Sequence, residues 1–451
     1  MKRKKTAMRR YRRDHLHKKF NTGYDKGYDL GYRRGYDLGF EKGISGAADL
    51  FVGTSIVIPT YNQLEFLKEC IHSIQKYTPE PNEIIIIDNG STDGTDQYLK
   101  SLSGKIRYKI FKENLGFAGG VNQGLMMATG NTLLFLNNDT IVTTNWLSNL
   151  QACLQSNETF GLVGPVTNYI GGDQLIETTY QSLDEMAIFA SSFNRSDPER
   201  WTKTGRLTGF CVLMRREFFQ RLGYLDEGFE IGNCEDDDYG LRARLMGSDL
   251  IIARDTFIHH AGSKTIKAFT PSQFDQFYGK NKQFYSNKWG DTHALLTEVL
   301  DGQDGAPLQM KDFYPTHVLV KGAGSATFWV ENGVRYPLEE PAEFVSTRLS
   351  QVDLRNWPVG FTLSNDQVKQ KLLSLTTSTE GALSDGVLVR TPEGKSYQFK
   401  QGKLHRFVTD WALTTWNLDN RHIIPISDAE KNKYAEGIPI IAPPIIRANN
   451  L

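Results

Sequence analysis

The stretch "LLFLNNDTIV", Leu133 to Val142, decides how the chain is read. Three apolar residues and a Phe run as a buried strand should, then meet Asn137, Asn138 and Asp139 before apolar character returns at Ile141 and Val142. Asn and Asp are common turn residues, so a plain turn is one reading. The other is a ligand or metal site, because open α/β sheets bind ligands at the carboxyl ends of their strands.

The surrounding sequence favours such a sheet. "SIVIPTYN" is a short apolar strand, after which Leu64, Leu67, Ile71 and Ile74 recur at helical spacing. "EIIIIDNGSTDGT" is a second strand with a polar end, and "GNTLLFLNND" is another. Strands alternating with helices imply a mixed, mostly parallel α/β sheet covered on both faces.

The chain has 451 residues, which predicts two to three domains. Residues 1–50 form an arm: ten Lys or Arg against one Asp in the first nineteen, then Gly at 23, 27, 31, 35, 39 and 43, an aromatic following each of the first five. Residues 51–299 carry the α/β pattern and residues 300–313 read as a Gly, Pro and Asp-containing linker. Residues 314–451 read as a small β-rich module with a tandem repeat. "VLVKGAGSATFWVENGVRYPL" (318–338) resembles "VLVRTPEGKSYQFKQGKLHRF" (387–407), and Asn332-Gly333 is a hairpin signal.

Formal net charge is zero, which argues against whole-molecule electrostatic binding of nucleic acid. Four scattered cysteines without a CxxC pair make a reducing, cytoplasmic setting the default. No apolar run reaches membrane-spanning length. The basic, aromatic arm leaves two roles open: peripheral contact with an anionic membrane face, and association between copies of the chain.

Chemistry-bearing residues gather at the strand ends. Asp88 and Asn89 close one strand, Asn137 to Asp139 another, and His259 and His260 a third. Glu235, Asp236, Asp237 and Asp238 form an acidic run ahead of a helix, where they repel one another unless a cation, a proton or a helix N-terminus offsets them. A diphosphate at this sheet edge calls for a hard divalent cation such as manganese or magnesium. Asp139 could supply an oxygen and His259 or His260 a nitrogen. A further carboxylate, Asp236, could take a proton from an incoming hydroxyl.

"SIVIPTYN", "IIIIDNGSTDGT", "ENLGFAGGVNQGL", "LLFLNND", "TGFCVLMRREFF", "LDEGF", "EDDDYGLR" and "HHAGS" occur in the order found in family-2 inverting glycosyltransferases, and resemble the bacterial rhamnosyltransferase-like branch over residues 54–290. The resemblance implies a GT-A nucleotide-sugar-binding fold. It implies nucleotide contacts at Pro59, Thr60, Tyr61, Asp88, Asn89, Asn114, Gly116, Asn122, Asn137 and Asn138, and metal contact at Asp139. Asn137 stands where the family's metal motif has its first Asp, one formal charge fewer. The resemblance also implies catalysis by Asp236 with Glu235 and Asp238, and acceptor contact at Gly209 and Phe210.

The expected protein is thus a metal-dependent hexosyltransferase of bacterial polysaccharide biosynthesis. It would move a sugar from a UDP- or dTDP-sugar to a hydroxyl on a glycan, lipid-linked or protein acceptor. The alternative is a non-catalytic glycan-binding or scaffold protein descended from such an enzyme.

Overall fold

The computed structural model describes residues 50–102, 104, 106–262, 270–302, 307–324, 326–340, 342–375, 383–448 and 450–451. The expectations for the N-terminal arm lie outside these residues. Residues 52–451 form one compact unit.

Among the described residues ten strands build the α/β part that precedes residue 300: β1 (Phe51–Thr60), β2 (Asn82–Asp88), β3 (Arg107–Ile110), β4 (Gly130–Leu136), β5 (Thr140–Ile141), β6 (Phe160–Val166), β7 (Trp201–Thr204), β8 (Cys211–Arg215), β9 (Asp249–Phe257) and β10 (His259–His260). Eight of them form a mixed sheet in the order β3-β2-β1-β4-β8-β6-β9-β7. β1, β2 and β3 run parallel, as do β6 and β9, while β8 runs antiparallel to both β4 and β6. Successive strand residues point to opposite faces, and two apolar cores result. Ile56, Ile58, Ile84, Ile86, Leu134 and Leu136 face one core. Val57, Ile85, Ile87, Leu133 and Phe135 face the other. Strands buried on both sides must be apolar throughout, which is why β2 and β4 read as unbroken runs.

The expected helical spacing after β1 becomes the helix Leu64–Tyr77, which buries Leu67, Ile71 and Ile74. The "GFAGGVNQG" glycines belong to the helix Gly116–Met127. A Cβ at Gly124 would lie 2.1 Å from Val57 Cγ1 on β1, so that glycine permits close approach of helix and sheet. Gly124→Ala gains roughly 1 kcal/mol of helix propensity. Overpacking at such a separation costs about 3 kcal/mol, so a lower urea midpoint is expected; an unchanged midpoint would show that Val57 moves freely.

The second core extends through Met310 and Phe313 to Val318, Trp416 and Ile440, so the C-terminal part shares a hydrophobic cluster with the sheet. Between the two parts stand the helix Thr292–Asp301 and a short turn at Met310–Phe313.

The C-terminal β-rich sheets carry the repeat further than its sequence signal. β11 (Val318–Lys321), β12 (Thr327–Glu331) and β13 (Val334–Pro337) form an antiparallel meander, and β14 (Thr347–Arg348) adds parallel to β11. β15 (Leu388–Arg390), β16 (Ser396–Lys400), β17 (Lys403–Arg406) and β18 (Ile423–Pro425) repeat that arrangement, and the short β19 (Ala435–Glu436) closes the second sheet. Each copy then enters a helix through a capping box, Ser350 with Asp353 and Ser427 with Glu430. The extra helix Asp410–Thr415 in the second copy lengthens the offset from 69 to 77 residues, which hides the later elements from simple sequence comparison. Asn332-Gly333 and Gln401-Gly402 both turn with positive φ, 49° and 78°, then 52° and 78°. Glutamine thus adopts the left-handed geometry that asparagine tolerates more readily.

Candidate active site

Past Leu136 the chain leaves β4 and the side chains turn polar for different reasons. Asn138 donates to Thr60 Oγ1 at 2.9 Å and so ties the end of β4 to the end of β1. The Asn137 carbonyl accepts a hydrogen bond from the Thr140 side-chain hydroxyl. β5 then pairs antiparallel with β10, His260 opposite Thr140 and His259 opposite Ile141. That two-strand ribbon brings His260 to Asp139, with His260 Nε2 3.1 Å from Asp139 Oδ1.

A cavity of about 210 Å³ opens here. Pro59, Thr60 and Tyr61 line it from the end of β1, Asn89 from β2, and Asn114 and Gly116 from the following helix entry. Asn137, Asn138 and Asp139 reach it from β4, Gly209 and Phe210 from the turn before β8, and Glu235, Asp236 and His260 complete the expected set. Phe117, Ile170, Thr208, Ile231, Gly232 and Asn233 also line it, and were not anticipated. Phe117 and Thr208 had a signal, since they sit inside the "GFAGG" and "TGFC" motifs; the others depend on loop paths.

Four expected residues stand apart from the lining. Asn122 is buried and holds the turn after Tyr224: its amide donates to Leu225 O and Glu227 Oε1 and accepts from Leu225 N–H. His259 turns the other way along its strand and meets the Tyr180 hydroxyl at 2.7 Å. Asp88 lies fully buried behind the cavity; its Oδ1 accepts from Ser91 N–H. Asp238 is committed to a buried charge cluster. Lys288 Nζ lies 2.5 Å from its Oδ1, Arg242 Nε 2.9 Å from its Oδ2, and Trp289 Nε1 donates to Oδ1.

The buried Asp88 Oδ2, Asn89 Oδ1 and Glu235 Oε2 have no hydrogen-bond partner among the described residues. Unsatisfied buried polar atoms cost free energy, and Asn89 and Glu235 bring two of them to the cavity lining, which suits a polar ligand.

The fit of a divalent cation rests on His260. Its Nδ1 lies 2.7 Å from the Tyr169 carbonyl, which accepts only from an N–H. A proton on Nδ1 leaves Nε2, which faces Asp139 Oδ1, as the ring nitrogen available to a metal. Two such ligand atoms about 3 Å apart would suit adjacent corners of an octahedral shell of radius roughly 2.1 Å. The carbonyl bond is also the usual support for a metal-ligating imidazole, and Phe210 stacks on the ring with a centroid separation of 5.6 Å. Among the described residues no group of three or more His, Cys, Asp or Glu forms, so further ligands would be water and phosphate oxygens.

Asp236 Oδ2 accepts from Gly209 N–H at 3.0 Å, and its Oδ1 from Asp237 N–H at 2.9 Å. Burial pushes its pKa up, the charge of Asp237 adds to this, and Arg206 opposes it. Glu235 is pushed well above the ordinary carboxylate range by burial and then by Asp236. Both open the helix Glu235–Leu245, whose N-terminus favours negative charge, yet desolvation wins. The approach to this helix is strained: Ile231, Asn233 and Cys234 all have positive φ, 62°, 80° and 72°. For a β-branched residue such as Ile231 this conformation is an outlier, and strain of this kind gathers at functional sites.

Residues 55–223 match the model of glycosyl transferase family 2, which makes this part of the chain a family-2 glycosyltransferase domain. The chain is 24% identical over 267 residues to the glycosyltransferase GlyG of Streptococcus pneumoniae serotype 4, covering 57% of this chain and 84% of GlyG. It is 28% identical over 265 residues to polypeptide N-acetylgalactosaminyltransferase 11 of Xenopus tropicalis, covering 53% of this chain but only 43% of that protein. The O-antigen biosynthesis protein RfbC of Myxococcus xanthus is 28% identical over 284 residues, covering 57% of this chain and 22% of RfbC. Among solved structures, GalNAc-T7 with UDP, GalNAc and Mn2+ aligns at a TM-score of 0.41 and 20% identity, covering 57% of this chain and 52% of that one.

Proposed function

We propose that the protein transfers a sugar, with inversion, from a nucleotide-diphosphate sugar to a hydroxyl of a glycan, lipid-linked or protein acceptor. The observation that carries this reading is one cavity lined by both the Asp139–His260 pair and the Asp236 carboxylate. A manganese or magnesium ion held by Asp139 and His260 would supply positive charge to the leaving diphosphate. Tyr61, Asn89 and Asn114 hold the nucleoside. Asp236 accepts the acceptor hydroxyl proton as that oxygen bonds the anomeric carbon, and the carbon–oxygen bond to phosphate breaks with its electron pair leaving on the nucleoside diphosphate. Glu235, whose burial favours the neutral carboxyl, hydrogen-bonds a sugar hydroxyl. The likeness to RfbC supports a bacterial polysaccharide product. Among the described residues no helix is long and apolar enough to cross a membrane.

Asp139→Ala tests the metal role. It is expected to weaken manganese-dependent binding of UDP much more than binding of uridine, measured by calorimetry. Equal losses for both ligands would point to a fold defect, and full transfer activity in chelator would remove the metal from the scheme.

A further inference from the structure

A second cavity of about 720 Å³ adjoins the first and shares Tyr61, Asn114, Gly116 and Ile231 with it. Part of its wall comes from far along the chain, at Arg447 and Ala448. The segment carrying them is anchored through its main chain. Ile445 N–H donates to Asp226 Oδ1 at 3.0 Å, and Arg447 and Ala448 N–H both donate to Glu227 Oε2, at 2.6 and 3.1 Å. Glu227 N–H returns a bond to the Ile445 carbonyl, and the Asn450 and Gln123 amides pair beyond it.

Because these anchors are backbone groups, the Arg447 side chain is spared. It is exposed, and no hydrogen bond or ion pair to its guanidinium occurs among the described residues. The acids nearby are already occupied: Glu227 by the segment itself and by Asn122, and Glu230 by Lys280 at 3.4 Å. The opposite rim is Asn62 and Gln63, consecutive residues with φ of 56° and 66° directly after Tyr61. Two adjacent left-handed residues without glycine store strain that the surrounding fold must hold.

In the proposed transfer, Asp139 and His260 would hold the cation that offsets the diphosphate charge, and Asp236 faces the reacting carbon. The nucleoside is left with Tyr61, Asn89 and Asn114, where the second cavity begins. We propose that Arg447 binds the nucleobase of the donor from this second cavity. The proposal rests on the nucleotide-sugar reading above and adds a contact supplied by the segment 440–451. A guanidinium presents a planar fork of donors, which matches the N7 and O6 edge of guanine and can also donate to a single carbonyl of uracil or thymine.

The test uses the full chain with manganese and titrates UDP, dTDP, GDP and inorganic pyrophosphate into wild type and Arg447→Ala. Removing the side chain keeps the anchoring N–H, so an unchanged melting temperature is expected. The variant should lose about tenfold in affinity for the tightest-binding nucleotide and nothing for pyrophosphate. Unchanged nucleotide affinity would overturn the proposal, and so would an equal loss for pyrophosphate, which would place Arg447 on the phosphates. A folded wild type that binds none of the nucleotides would sink the donor reading itself.

Discussion

Replacing Asp236 with asparagine is expected to lower sugar transfer by about 10²–10⁴-fold, the span of general-base contributions, while UDP binding in manganese persists. The amide keeps an oxygen for Gly209 N–H but cannot take a proton. Burial and the neighbouring Asp237 raise the Asp236 pKa, so the base is deprotonated only above the usual carboxylate range. Transfer should therefore rise with pH through that raised value, and this limb should vanish in Asp236→Asn. Initial rates of sugar transfer against pH measure both. Activity within a few-fold of wild type would move the base role to another group.

The second large effect concerns stability. Lys288 is fully buried, with Nζ 2.7 Å from Asp226 Oδ2 and 2.5 Å from Asp238 Oδ1. Lys288→Ala removes the ammonium shared by two buried carboxylates, and removing one partner of a buried ion pair costs roughly 3–5 kcal/mol. A urea titration should show that loss, whereas a change under 1 kcal/mol would mean that water or a neighbour replaces the ammonium. Burial works against the charged form of Asp238, but Lys288 and Arg242 hold its pKa below the ordinary value. Its stabilising contribution is thus present above the unfolded carboxylate pKa and lost as pH falls through the depressed one. Asp226 is pushed up by burial despite Lys288, so it opposes this trend. Because Asp226 also accepts from Ile445 N–H, the same substitution should loosen the segment that carries Arg447.

Much of the architecture was legible in the residues because it follows local rules. The Ile run of β2 and the "LLFL" of β4 can only be satisfied inside a sheet covered on both faces, and the polar residues after each must then lie at its edge. Asn332-Gly333 specified its own hairpin. Division of labour among the acids was not legible. Glu235, Asp236 and Asp238 are near neighbours in sequence, but residues two apart on a helix point in widely different directions. Packing against Lys288 and Trp289 decided that Asp238 faces inward while Asp236 lines the cavity. Asp139 and His260 are 121 residues apart, and only the pairing of β5 with β10 joins them. His259 lost that place because adjacent strand residues face opposite sides. The sequence alone thus determined which residues end strands and place polar or charged side chains there, since hydrophobic period and turn preference act over a few positions. Which of those residues share a cavity was decided by tertiary structure, because strand pairing and burial depend on partners more than a hundred residues away.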